Sequence, residues 1–122
     1  TALYVKDRKA FGQTLGDFQN TQFVLAQLDA EITAQRVFVD YCITKHLKGE
    51  LSPVEAAKVK LIGSELHCKT VDQCLQFYGG YGYMLEYPIA RAYIDARIVK
   101  IAGGAVEVMK QIIWRDLERS MR

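Results

Sequence analysis

The chain has 122 residues, of which 50% are hydrophobic and 25% are charged, and this is the size and composition of one globular domain. The formal net charge is only +2 and no basic cluster forms, which excludes a protein that binds nucleic acid through a concentrated positive surface. No apolar run approaches the roughly 20 residues of a membrane-spanning helix, so we expect no insertion into a membrane.

The first segment, TALYVKDRKAFG, reads as the last turns of a helix from Thr1 to about Lys9. No capping residue or leading turn comes before it beyond Thr1 itself. The sequence therefore predicts the tail of a truncated helix, and we expect the chain to be a piece of a longer protein.

The second segment predicts one long helix from Asp17 to Lys48. Gly16 and Asp17 supply a break and a cap, and Gly49 ends the helix. Apolar residues recur at helical spacings and share a face, namely Leu25, Leu28, Ile32, Val39, Ile43 and Leu47.

A second long helix starts at Ser52, a good N-cap that Glu55 completes into a capping box, with Pro53 in the first helical position. Gly79 and Gly80 end it. Its expected buried face is formed by Val59, Ile62, Leu66 and Phe77.

The stretch 78-YGGYGYMLEYP-88 predicts a loop, and Pro88 opens a short helix through about Ile98. After the pair Gly103–Gly104, a last helix runs from about Val106 to Arg119, with inward positions at Met109, Ile112, Ile113 and Leu117. No segment alternates like a strand. The fold class is therefore all-α, an antiparallel up-and-down four-helix bundle whose first helix is truncated, as a single domain over 1–122.

Neither metal nor nucleophilic chemistry is indicated. A bundle di-iron site needs Glu-x-x-His on two helices, and His46 and His67 both lack it. Cys68 follows His67, but helical neighbours point in different directions. We expect the histidines at the surface or an interface, and the cysteines in the core without disulfides, namely Cys42, Cys68 and Cys74.

Two short stretches permit either a structural or a ligand-binding interpretation. Arg8 and Phe11 lie together at a helix end, where a cation suits the helix dipole but where a guanidinium also suits a phosphate. The glycines of YGGYG fit a helix end and turn, and equally let backbone approach a flat or charged ligand.

Taken in order, RKAFG, Gln19, QFYGGYGYMLEYPIARAYIDARI, a glycine-bearing turn and EVMK resemble the C-terminal helical domain of the flavin-dependent acyl-CoA dehydrogenases, nearest to the long-chain type. The resemblance covers essentially the whole chain. It implies α,β-dehydrogenation of an acyl-CoA thioester, with FAD as the cofactor and an electron-transferring flavoprotein as the acceptor. It also implies a homo-oligomer, a dimer of dimers, in the bacterial cytoplasm or the mitochondrial matrix.

The resemblance also implies roles for individual residues. Arg8 and Phe11 match an R-x-x-F motif that contacts FAD held mainly by a neighbouring subunit, and Gln19 matches a glutamine that reaches the adenine end. The cofactor-binding set that it implies is Arg8, Phe11, Gln19, Gln76, Gly79, Gly80, Ala105 and Glu107, and the substrate-binding pair is Gly103 and Gly104.

The turn 102–105 departs from the family pattern Tyr-Glu-Gly-Thr. Gly103 stands at the position of the usual catalytic glutamate, so no catalytic residue is expected in this chain. Ala105 lacks the hydroxyl of the family's threonine. Either a carboxylate from the helix before Thr1 serves as the base, as in the long-chain and isovaleryl types, or the chain belongs to a base-less partner subunit. We favour the first.

Three other functions stay open at this point. An acyl-CoA oxidase has the same fold. A heteromeric partner subunit without a base would bind ligand or support assembly without catalysis. A plain helical interaction module would bind no flavin. Exposed aromatic side chains are expected to serve subunit packing, namely Tyr41, Tyr93 and Trp114. The isolated domain is expected to be inactive.

Overall fold

A computed structural model describes the whole chain, Thr1–Arg122. It contains five α-helices, α1 (Ala2–Asp7), α2 (Gln19–Leu47), α3 (Pro53–Gln76), α4 (Pro88–Ala96) and α5 (Val106–Ser120). Single 3₁₀ turns lie at Leu15–Asp17, Gly79–Tyr83 and Arg97–Lys100. The all-α prediction is confirmed, and each predicted helix is present with ends within a few residues of those expected.

One small element was not predicted. Strands β1 (Lys9–Ala10) and β2 (Gln13–Thr14) form an antiparallel hairpin in which Lys9 pairs with Thr14 and Ala10 pairs with Gln13. The expectation that the chain has no strand was therefore wrong here. Two residues per strand are too few to produce a visible alternation of apolar and polar residues.

Helices α2 and α3 form a long helical hairpin, and the connection between them is stabilised by the expected capping interactions. Ser52 and Glu55 form the predicted capping box, because the Ser52 hydroxyl accepts from the Glu55 N–H at 3.2 Å and the Glu55 carboxylate accepts from the Ser52 N–H at 3.0 Å. Gly49, at φ 72°, ends α2 in a Schellman motif, with the Gly49 and Glu50 N–H groups donating to His46 and Lys45 carbonyls.

The predicted cap at Asp17 is corrected by the structure. Asp17 accepts hydrogen bonds from the Thr14 N–H at 2.8 Å and the Thr14 hydroxyl at 2.7 Å, so it caps the preceding 3₁₀ turn and not α2. The helix begins two residues later, with Phe18 in the N-cap position and no side-chain cap. The Asp17 carboxylate binds Thr14, three positions earlier in the chain, and is therefore not available to cap α2.

Helix α3 is the centre of the fold, and α2, α4 and α5 each pack against it. Two ion pairs, Lys45–Glu55 at 2.7 Å and Lys69–Glu31 at 2.6 Å, join α2 to α3 and show that the two helices run antiparallel. None of the helices is long and apolar enough to cross a membrane.

The apolar stripes are only partly covered. Leu28 and Met109 are buried as expected, but only eleven of 122 residues are buried in all. Several predicted core residues are exposed instead, namely Ile32, Ile43, Leu47, Ile62 and Leu117. Their assignment to the core of this chain was wrong, because the helices present more apolar surface than they cover on one another.

The ion pair between Lys45 and Glu55 predicts how the stability of the fold depends on pH. The Lys45 hydrogen bond, assisted by Ser52 and Tyr41, lowers the pKa of Glu55 from 4.5 to about 2. The pKa of Glu55 is lower in the folded state than in the unfolded state. The ion pair therefore stabilises the fold fully at pH values above the unfolded pKa, and this stabilisation is lost as pH falls toward about 2. Glu55→Gln should therefore lower the urea midpoint at neutral pH, and its difference from wild type should shrink below about pH 5.

Glu50→Gln is the matched control, since Glu50 is exposed in the loop just before α3 and its carboxylate has no ion pair. Urea unfolding of the three proteins between neutral and acidic pH makes the comparison. A Glu55→Gln deficit that did not change with pH would contradict the lowered pKa.

Candidate functional site

Four of the predicted cofactor residues line one open groove of about 660 Å³. Arg8 comes from the end of α1, Gln76 from the last turn of α3, and Gly79 and Gly80 from the 3₁₀ turn that follows. The other lining residues are Ala10, Leu15, Phe77, Tyr78, Tyr81, Met84, Glu86 and Tyr87. Residues separated by about 70 positions in sequence thus form one surface.

The backbone of Arg8 is held by hydrogen bonds, whereas its guanidinium forms no ion pair or hydrogen bond. Its N–H donates to the Tyr4 carbonyl at 2.9 Å, and its carbonyl accepts from the Leu15 N–H at 2.8 Å. None of the chain's five ion pairs includes Arg8, and the arginine side chains that donate hydrogen bonds are Arg91 and Arg122. The guanidinium donors of Arg8 are available for an anion.

A ladder of four tyrosines, which sequence reasoning missed, backs this groove. Tyr4 stacks on Tyr78 with ring centroids 3.9 Å apart, Tyr78 meets Tyr87 edge-on at 6.2 Å, and Tyr87 stacks on Tyr81 at 5.0 Å. Burial raises the pKa of the Tyr4 hydroxyl, and the Arg8 cation opposes that rise. The density of tyrosine in 78–87 was the available signal, but Tyr4 joins the ladder only through the tertiary fold.

The glycines at the groove expose bare backbone. A Cβ built on Gly79 or Gly80 would meet no atom within 4 Å. There is room for a side chain at both positions, so packing does not explain why they are glycine. Gly79 has φ 56°, which L side chains rarely adopt, and its missing side chain leaves the peptide open to close approach.

Phe11 and Gln19 do not line this groove. Phe11 and Gly12 occupy the tip of the β-hairpin with φ 52° and 82°, the two positive angles of a type I′ turn. The Phe11 ring is 97% exposed and makes one edge contact with Phe18 at 6.4 Å. Gln19 is exposed at the first position of α2.

The glycine turn before α5 lies in a second place that shares no lining residue with the first. Gly103 borders a shallow groove of about 540 Å³, whose other lining residues are Gln35, Val39, Val59, Lys60, Gly63, Ser64, His67, Ile98, Val99 and Ala102. None of these is an Asp or Glu. The structure therefore does not bring all the predicted site residues together but divides them into two sets.

The turn itself is built from two glycines in left-handed conformation followed by a helix N-terminus. Gly103 has φ 65° and Gly104 has φ 101°. Ala105 is the N-cap of α5 and offers no side-chain cap, and Glu107 is an exposed acidic residue in the first turn. A threonine at 105 would have capped the helix, whereas Glu107 suits the positive helix end.

Two side chains of α3 hold the segment that leads into this turn. The Lys60 ammonium donates to the Val99 carbonyl, and the Cys68 thiol donates to the Ala96 carbonyl at 3.2 Å. These carbonyls lie at the end of α4 and in the next 3₁₀ turn. The position of Gly103 and Gly104 is thereby tied to α3.

The remaining candidates are the two histidines and the three cysteines. His46 and His67 are exposed, Cys42 is buried, and Cys68 and Cys74 are half-buried free thiols. No three His, Cys, Asp or Glu side chains come together as metal ligands. The expectation that all three cysteines lie in the core holds fully only for Cys42.

The fold is an all-α domain that carries two separate glycine-bearing turns, one of them beside an arginine without an ion pair. The chain belongs to the acyl-CoA dehydrogenase C-terminal domain family, whose model matches residues 1–118. The mitochondrial long-chain specific acyl-CoA dehydrogenase of Sus scrofa is 46% identical over 117 residues, which are 96% of this chain and 27% of that enzyme.

Solved structures agree with this assignment. An acyl-CoA dehydrogenase from Geobacillus kaustophilus matches with a TM-score of 0.93 at 41% identity, over 95% of this chain and 30% of that one. A chain in a structure described as the electron transferring flavoprotein of Acidaminococcus fermentans matches with a TM-score of 0.91 at 31% identity, over 95% and 30%. This chain therefore spans less than a third of the length of these relatives.

The two glycines of the second turn predict different responses to alanine. At Gly103 a Cβ meets nothing within 4 Å, so Gly103→Ala should cost only the left-handed strain of about 1–2 kcal/mol. At Gly104, φ 101° lies outside the left-handed region that L residues can enter, so Gly104→Ala should cost more than Gly103→Ala. Its Cβ would also lie 2.6 Å from Cε of Met109, the flexible end of a side chain that can shift. Free energies of unfolding in urea test this order, and equal losses would contradict it.

The hairpin tip predicts a substitution that stabilises the fold. Phe11 is exposed and has a positive φ, whereas Asn-Gly is the preferred pair for a type I′ turn. Phe11→Asn should raise the free energy of unfolding of cofactor-free protein by about 1 kcal/mol, because Asn tolerates left-handed backbone better than Phe. Phe11→Val, which is β-branched, should lower it. Two changes of the same sign would show that the tip is not strained.

Proposed function

We propose that this chain is the C-terminal domain of an FAD-dependent acyl-CoA dehydrogenase that removes hydrogens from the α and β carbons of an acyl-CoA thioester. FAD, when bound, supplies the hydride acceptor. The chain's own residues contribute a binding surface for the cofactor at the first groove and a backbone turn for cofactor and substrate at the second. The isolated domain is expected to be inactive.

The observation that carries the proposal is the first groove. It combines a guanidinium without an ion-pair or hydrogen-bond partner, an exposed amide side chain at Gln76 and bare backbone at Gly79 and Gly80. Arginine pairs two oxygens of a phosphate at once, and the open glycines let a flat or charged group come close. A diphosphate-bearing cofactor fits this donor set, and Phe11 and Gln19 extend it outward from the bundle.

The division of the predicted residues into two places supports cofactor binding between subunits. Family resemblance implies that Arg8 and Phe11 reach FAD held mainly by a neighbour, while the turn 102–105 runs along flavin and thioester. Two separate surfaces on one chain fit two different cofactor molecules. Exposed Tyr41, Tyr93 and Trp114 fit the packing of identical subunits as a dimer of dimers.

The second groove supports a base from outside the 102–105 turn. Gly103 has no side chain to accept the α-proton, and no carboxylate of this chain lines the groove. We propose that a carboxylate on the preceding bundle helix, before Thr1, faces Gly103 and takes the proton. The pair Gly103–Gly104 then leaves room for the acyl chain and lets peptide groups approach the ligand.

Ala105 marks the departure from the family pattern. It removes one hydroxyl hydrogen bond in the cofactor region, which costs about 1 kcal/mol. Such a loss weakens binding without abolishing it. The absence of a carboxylate at 103 and of a hydroxyl at 105 keeps a base-less partner subunit as the second candidate function.

The matched proteins also suggest an electron acceptor and a cellular compartment for this protein. A matching chain belongs to a structure described as an electron transferring flavoprotein, so we propose such a protein as the acceptor. An acyl-CoA oxidase would pass electrons to oxygen instead. Relatives come from mitochondria and from bacteria, and we propose the matrix or the bacterial cytoplasm accordingly.

The full-length protein should purify with a flavin absorbance spectrum, and acyl-CoA should bleach that spectrum under anaerobic conditions. Turnover should reduce an artificial dye without consuming oxygen, whereas an oxidase would consume it. A coloured protein that acyl-CoA failed to bleach would favour the base-less partner. A colourless protein would contradict the proposal.

Arg8→Ala should weaken FAD binding by the full-length protein at least tenfold, because a hydrogen bond to a charged group contributes about 1.5–3 kcal/mol. Lys6→Ala is the matched control, since Lys6 is exposed on the same helix and has no ion pair. Titration of apoprotein with FAD measures both. Equal losses in the two variants would mean that general charge, and not Arg8, is responsible.

A further inference from the structure

The arginine of the first groove rests on an aromatic ring. The central guanidinium carbon of Arg8 lies 5.2 Å from the centroid of the Tyr81 ring, a cation–π contact. The two residues come from different elements, the end of α1 and the 3₁₀ turn Gly79–Tyr83. We infer that Tyr81 is a positioning residue for Arg8, and that its ring holds the guanidinium at the groove for the phosphate oxygens of the cofactor.

The contact geometry matches this role better than an ion pair would. A carboxylate beside Arg8 would occupy the N–H donors that an anionic ligand needs, whereas a ring face attracts the cation and leaves those donors free. Glu86 lines the same groove, but no ion pair joins it to Arg8. Tyr81 therefore orders the side chain without competing for its hydrogen bonds.

The Tyr81 ring is itself held in place. It stacks on Tyr87 with an interplanar angle of 20°, and Tyr87 at the N-cap of α4 continues through Tyr78 to Tyr4. Tyr4 lies on α1, one turn before Arg8, and its carbonyl accepts the Arg8 N–H. The aromatic ladder and α1 thus connect both partners of the cation–π contact to one rigid unit.

The consequence is a lower ordering cost when an anion binds. An arginine side chain free in solvent loses considerable rotamer freedom on binding, and a side chain already held over a ring loses less. Cation–π contacts at exposed sites correspond to about two- to fivefold in an equilibrium constant. The effect should appear in cofactor affinity, and it should depend on the presence of the arginine.

The test is a double-mutant cycle in the full-length protein, and it rests on the proposed function. Apoproteins of wild type, Tyr81→Leu, Arg8→Ala and the double variant are titrated with FAD. Tyr81→Leu should weaken binding about two- to fivefold in the wild-type background and have no further effect with Arg8→Ala. Tyr81→Phe, which keeps the ring, should bind like wild type.

Tyr83→Leu is the matched control, because Tyr83 lies in the same 3₁₀ turn, is 89% exposed and belongs to no aromatic pair of the ladder. It should leave affinity unchanged. Circular dichroism checks that every variant keeps its helices, and if Tyr81→Leu lost them, Tyr81→Met would take its place in the cycle.

The outcomes separate the two ideas. If FAD binds and Arg8→Ala weakens it, but Tyr81→Leu acts equally in both arginine backgrounds, Tyr81 does not position Arg8 and the inference is overturned alone. The same holds if Tyr81→Leu has no effect. If no variant and no wild-type protein binds FAD, the proposed function fails, and the positioning role fails with it.

Discussion

The packing of three helices on α3 is the constraint on which the rest of the structure depends. Both glycine-bearing turns are held from this helix. The first follows directly from its C-terminal end, where Gly82 fits against Leu75 so closely that a Cβ would lie 2.8 Å from the Leu75 carbonyl oxygen. The second is held through the Lys60 and Cys68 side chains, which bind backbone carbonyls beyond α4. A rigid helix therefore sets the separation of the two grooves.

The missing side chains of the glycines serve two purposes, which the surrounding space distinguishes. Gly82 is small because Leu75, including its carbonyl oxygen, occupies the space, whereas Gly104 meets only the flexible end of Met109 and is required chiefly by its φ of 101°. Gly79 and Gly103 face open space, so packing does not explain their size. Left-handed backbone accounts for part of their identity, and the approach of a ligand to the peptide accounts for the rest under the proposed function.

The chain covers little of its own apolar surface. Its relatives are more than three times as long, and their sequences match over nearly all of this chain. Exposed side chains such as Trp114 and Leu117 on α5 and Tyr41 on α2 fit further packing partners. The proposed subunit assembly would supply such partners, and it would also complete the cofactor site from two chains.

Local signals in the sequence determined the helices, because Ser52, Glu55, Gly49 and Pro88 act through atoms only a few residues away. The order of motifs likewise determined the family. Tertiary structure alone decided that Arg8 contacts Tyr81 and shares a groove with Gln76, and that Gly103 lies apart from them. These positions depend on how the helices pack and not on any periodicity. Helical spacing identified apolar faces such as that of Ile32 and Ile43 correctly, but it could not say whether this chain covers them, since burial depends on which partner lies opposite.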